Sequence, residues 1–79
     1  MEEKSFKTSE LYLAAIISIL LNIEPSFEVV NGRTIFVYPA SDDLYRAINL
    51  YNGGIEVNAY EYAEKLKRLR AEMIMRRGR

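Results

Sequence analysis

The dipeptide Asn31–Gly32 is the strongest constraint on this chain. It sits between two runs rich in β-branched and aromatic residues, Phe27–Val30 and Arg33–Tyr38. Asparagine and glycine both accept the positive φ angles of a type I′ turn, whose twist matches that of two antiparallel strands. A two-residue loop also fixes the register: Phe27 lies opposite Phe36, and Val29 opposite Thr34. Phe27, Val29, Phe36 and Tyr38 then share one face, which is the better candidate for packing on a helix. The other face carries Glu28, Val30, Arg33, Ile35 and Val37. Pro39 lacks an N–H for the ladder and ends the second strand.

Three helical patterns surround this hairpin. Glu10–Leu21 is apolar almost all round and interrupted only by Ser18. Such a helix is buried on most of its surface, so Leu13, Ile16, Ile17 and Leu20 are expected in the core. Thr8 or Ser9 is positioned to cap it, and Asn22 and Pro25 end it. Ser41 can cap a second helix, with Asp42 and Asp43 facing its positive end. Leu44, Ala47, Ile48 and Tyr51 recur there at helical spacing, and Asn52–Gly53–Gly54 stops it. The alternation of Ile55, Glu56 and Val57 reads as a short third strand. Asn58 opens a last helix with Glu61 at capping-box spacing, and Val57 and Tyr62 occupy the positions of a hydrophobic staple. Tyr62, Leu66, Leu69 and Met73 form its apolar stripe. Glu61–Lys65, Glu64–Arg68 and Glu72–Arg76 have the i, i+4 spacing of helix-stabilising ion pairs. The expectation is one α+β domain spanning residues 1–79, in the order α-β-β-α-β-α. A small antiparallel sheet is covered by helices, with residues 1–7 and 76–79 frayed.

Composition limits the chemistry. Neither cysteine nor histidine occurs among the 79 residues. A disulfide is excluded, and the usual nucleophile, proton-shuttle and zinc-ligand sets are missing. The carboxylate pairs Glu2–Glu3 and Asp42–Asp43 read as a solvated tail and a response to a helix dipole, not as catalytic or metal sites. Gly53–Gly54 follows a helix, without the surrounding residues of a phosphate loop. The chain therefore reads as a non-enzyme with no cofactor, no metal and no evident small-molecule substrate. The apolar run Leu11–Leu21 is shorter than the ~20 residues of a membrane span. The charged opening Met1–Lys7, with no convincing cleavage site after that run, points to a cytoplasmic protein.

Net charge is zero, yet its distribution is uneven. Residues 1–64 hold four basic and ten acidic side chains, a net −6. Residues 65–79 hold seven basic side chains against Glu72 alone, a net +6. Lys65, Lys67, Arg68, Arg70, Arg76, Arg77 and Arg79 are thus candidate phosphate contacts for a nucleic acid. The plainer alternative is that cations are favoured near a helix C-terminus and beside apolar stripes. Spaced at 100° per residue, they fall on both sides of the stripe and make no single basic face. Tyr45, Tyr51 and Tyr60 could present rings to bases or to a protein, although aromatic residues at helical spacing more often fill a small core. A chain this small without staples is also a candidate homodimer, with Tyr62, Leu66, Leu69 and Met73 as the interface.

The opening Phe6-Lys7-Thr8-Ser9-Glu10-Leu11-Tyr12-Leu13-Ala14-Ala15 resembles that of a family of short prokaryotic and phage proteins without an established activity. The likeness continues through Asn31–Tyr38 and around Val57–Ala59, Tyr62, Ala63 and Leu66. It implies a small compact domain, often encoded near mobile elements, with no catalytic residues to map. Two functions remain. One is an accessory nucleic-acid-binding protein of a phage or mobile element, working through the basic last helix. The other is a protein–protein interaction or assembly subunit.

Overall fold

The computed structural model describes residues 4–76. The elements run β1 (Ser5–Thr8), α1 (Leu11–Leu21), β2 (Ser26–Val30), β3 (Arg33–Pro39), α2 (Asp42–Asn52) and α3 (Ala59–Arg76). The class is α+β, and the order is β-α-β-β-α-α. The three strands form one antiparallel sheet in the order β1-β3-β2.

The hairpin follows the turn chemistry. Asn31 and Gly32 take φ of 54° and 76°, and Phe27 pairs with Phe36 and Val29 with Thr34. The two phenyl rings meet edge to face with centroids 5.7 Å apart. Phe36, Tyr38 and Thr34 are fully enclosed beneath the helices. Val29, expected on the packed face, is 48% exposed, because β2 is an edge strand, whereas its ladder partner Thr34 lies on the central strand.

The third strand is not Ile55–Val57 but Ser5–Thr8, which overlaps residues 1–7, the segment expected to fray. Phe6 explains the difference. It pairs with Tyr38 across the ladder, packs against the core and meets the Tyr45 ring edge-on at 6.3 Å. Ile55–Val57 instead belongs to an irregular connection between α2 and α3. Helix α1 packs against both α2 and α3, which scarcely touch each other. A chain leaving α2 must therefore cross α1 to begin α3. Ile55 and Val57 are half-buried in that crossing. The result is a flat slab of 38 × 35 × 18 Å, with the helices on one face of the sheet. On the other face, Lys7 of β1 and Glu28 of β2 form an ion pair of 3.2 Å. Their ladder partners are Val37 and Ile35, so the pair arches over half-buried apolar side chains of the central strand.

Caps follow local chemistry with one exception. Ser41 Oγ accepts the Leu44 N–H at 3.0 Å, and Asn58 Oδ1 accepts the Glu61 N–H at 2.9 Å. At α1, Glu10 occupies the N-cap without a side-chain bond to the helix, while Thr8 Oγ1 accepts from the Glu10 N–H. Asn22 closes α1 in the left-handed conformation at φ 55°. Leu13, Ile16 and Ile17 are buried as expected. Leu20 is 36% exposed, since it lies in the last turn, where α1 is less covered.

Ser18, the one polar residue in the apolar run, is 2% exposed. The Tyr38 hydroxyl donates to the Ala14 carbonyl at 2.8 Å, so its 2.8 Å contact with Ser18 is one in which Ser18 Oγ donates. This network pins the central strand to the central helix and satisfies both buried hydroxyls. Burial is the main influence on the Tyr38 phenol, which is pushed up to about 12 despite the Ser18 bond. A raised folded-state pKa means that the stabilisation is complete below the unfolded value, about 10, and is lost as pH rises toward 12. The loss should approach about 3 kcal/mol, from two pKa units at 1.36 kcal/mol each. Tyr51 and Tyr62 shift in the same direction, so the comparison that isolates Tyr38 is urea unfolding of wild type and Tyr38→Phe across this range. The variant should start roughly 1 kcal/mol less stable near neutrality, because Ser18 Oγ can turn to the Ala14 carbonyl one helical turn back. It should also lose the Tyr38 share of the alkaline decline. Identical pH dependence in the two proteins would contradict this assignment.

Candidate functional site

The basic residues of α3 do not present a continuous surface for phosphates. Lys65 Nζ lies 3.1 Å from a Glu24 carboxylate oxygen, and Arg68 hydrogen-bonds the same oxygen. Glu24 belongs to the connection between α1 and β2, so these contacts tie α3 to the sheet's approach. Burial opposes ionisation of Glu24, but the bonds and charges of Arg68 and Lys65 outweigh it and hold the carboxyl below the usual carboxylate range. The i, i+4 pairs expected for Glu61–Lys65 and Glu64–Arg68 are accordingly replaced. Glu64 instead meets Lys67 at 3.7 Å. Arg76 forms its expected pair with Glu72 at 3.0 Å and lays its guanidinium over the Phe27 ring, 4.2 Å from the centroid. Among the described residues, no carboxylate lies within ion-pair distance of Arg70. Arg77 and Arg79 lie outside the described residues.

The stripe expected to form an interface faces inward. Leu69 is 1% exposed within the core, and Tyr62, Leu66 and Met73 pack against that core. Thr34 Oγ1 further anchors the end of α3 by donating to the Met73 carbonyl at 2.9 Å. Leu69 is therefore out of reach of a second copy, while Tyr62, Leu66 and Met73 keep part of their surface open. The three tyrosines considered for stacking are likewise dispersed: Tyr45 rests against Phe6, Tyr51 is half-buried, and Tyr60 is 73% exposed. Tyr12, Tyr45, Leu50 and Tyr60 leave large apolar area open on the helical layer.

Two concave regions lie along the first half of α3. The first, of about 420 Å³, lies beside the Glu24 ion pairs and is lined by Ser18, Ile19, Asn22, Tyr60, Glu61, Glu64, Lys65 and Arg68. Its cations are matched by acids, and Ser18 is already bonded to Tyr38. The second, of about 530 Å³, forms where the connection crosses α1, between Ile16, Tyr51, Ile55, Glu56, Val57 and Tyr62. Its lining is mostly apolar and aromatic, with Glu56 its one charged residue. Burial raises the phenols of Tyr51 and Tyr62, and the nearby Glu10 charge adds to both shifts. Neither Glu10 nor Glu56 has an ion-pair partner among the described residues. The depression therefore offers aromatic rings, aliphatic walls and the Glu56 carboxylate, with Glu10 near both tyrosines. Sequence reasoning missed it because Glu10, Tyr51, Glu56 and Tyr62 come together only through the crossing of α1. The staple spacing of Val57 and Tyr62 was the one local signal.

No group of histidine, cysteine or carboxylate side chains among the described residues is placed to hold a metal ion, and no described helix is long and apolar enough to cross a membrane. Comparison with known proteins finds no matching family, no matching curated protein and no matching solved structure.

Proposed function

We propose that this chain is a non-enzymatic protein-interaction module of the cytoplasm that assembles with further copies of itself. The observation that carries this reading is the open aromatic and aliphatic surface of the helical layer: Tyr12, Tyr45, Leu50 and Tyr60 are each about half exposed or more. Tyrosine suits such a role, because it covers large apolar area while keeping a hydroxyl for water or a partner. The rival reading, a nucleic-acid accessory protein of a phage or mobile element, is weakened by the intramolecular pairing of Lys65, Lys67, Arg68 and Arg76. A phosphate would have to compete with a carboxylate already in place at each of them.

Salt dependence separates the two. Each phosphate neutralised on duplex DNA contributes about 0.9 to the logarithmic salt slope. Anisotropy titrations with single- and double-stranded DNA and RNA at low salt should show no binding, or a slope no greater than about 1. A slope of about 3, from three or four phosphate contacts, would restore the nucleic-acid reading.

A further inference from the structure

We propose that the acidic, tyrosine-lined depression beside the first turn of α3 seats an arginine-bearing segment, supplied by residues 77–79 of a second copy. The proposal rests on the assembly reading and names a charged contact that acts beside the exposed apolar side chains.

The chemistry of the depression selects the occupant. Tyr51 and Tyr62 line it, and the face of an aromatic ring attracts a cation. Ile16, Ile55 and Val57 offer aliphatic wall for the stem of a long side chain, as arginine requires when its charged head reaches outward. Glu56 on the wall, with Glu10 nearby, supplies carboxylates for that head. The molecule already pairs an arginine with both an aromatic ring and a carboxylate, at Arg76, Phe27 and Glu72.

Charge complementarity identifies the donor. Residues 73–79 contain three arginines and no acid, while residues 1–64 carry the opposite charge, net −6. The arginines after Arg76 and the depression cannot meet within one molecule. Ala59 and Tyr62, at one end of α3, lie at the depression, and Arg76 ends the same helix. Seventeen helical steps separate Ala59 from Arg76, or about 25 Å at 1.5 Å each. Residues 77–79 extend about 10 Å at most. A neighbouring copy meets no such restriction. Its basic end against this molecule's acidic depression is a head-to-tail contact, which grows into a ring or an open filament because donor and acceptor are different surfaces.

The test uses two charge reversals. Glu10→Lys with Glu56→Lys alters only the acceptor, and Arg77→Glu with Arg79→Glu alters only the donor. Glu10 and Glu56 are exposed, so circular dichroism should show an unchanged fold. In sedimentation velocity at low salt, wild type should form species beyond the dimer. Each double variant alone should associate at least about tenfold more weakly, since like charges then face each other. An equimolar mixture of the two should recover association beyond the dimer with unlike copies alternating, because each variant's donor is then opposite in charge to the other's acceptor. The fourfold variant carrying both reversals should recover self-association. Wild-type self-association with either double variant behaving like wild type would overturn this contact and leave the assembly reading standing. A wild type that is monomeric throughout would overturn both.

Discussion

Leu69→Asp is expected to unfold the chain, and not to release a folded monomer. Leu69 is 1% exposed and belongs to the same core as Ile17, Phe36 and Tyr38. The substitution removes a buried aliphatic side chain, which costs about 2–5 kcal/mol. It also buries a carboxylate with no cation beside it, a further cost of roughly 3–5 kcal/mol by analogy with a broken buried ion pair. The sum rivals the whole stability of a domain this small, on the order of 4–12 kcal/mol. Met75→Asp on the same helix is the control. Met75 is 71% exposed, and its substitution should change stability by no more than about 0.5 kcal/mol. Circular dichroism and urea titration of both variants decide the matter. A folded, monomeric Leu69→Asp protein would place the stripe in an interface between copies.

Ile17→Ala should cost about 2–5 kcal/mol in urea unfolding. Ile17 is fully buried at the middle of α1, and α1 is the element that α2 and α3 both pack against. A cavity there is bounded by sheet below and helices on either side, so little can relax into it. Relaxation is what lowers the cost of such deletions elsewhere. Leu20→Ala provides the contrast within one helix: at 36% exposure it should cost distinctly less. Equal losses at the two positions would contradict the placement of α1 at the centre of the helical layer.

These expectations show which parts of the fold were legible in the residues. The hairpin register, the buried face of α1, and the caps of α2 and α3 all depend on residues a few positions apart, and each was readable. Local chemistry decides a type I′ turn or a serine cap, whatever the rest of the chain does. The third strand was not readable. Ser5–Thr8 is a short edge strand whose evidence is a single half-buried Phe6 and its pairing with Tyr38. Ile55–Val57 alternates as well as any strand does, yet it alternates because one side of a crossing chain faces α1. Ser18 looked like a flaw in an apolar helix until Tyr38, twenty residues away, supplied its partner.

The candidate site was less legible for the same reason. The seven cations were visible in the sequence, but not the carboxylate that claims two of them. Glu24 is separated by about forty residues from Lys65 and Arg68. Helical spacing alone assigned those cations to Glu61 and Glu64. The Tyr51–Tyr62 depression needed the path of the connection over α1, which composition does not encode locally.

Sedimentation velocity of the unmodified chain, from low to high micromolar concentration and at low salt, tests the central claim most directly. The account predicts a mean mass that rises above the monomer with concentration. The share of that rise due to the charged contact should fade near 1 M salt, where charges more than about 3 Å apart are screened. A single monomeric species across the whole concentration range at low salt would contradict it.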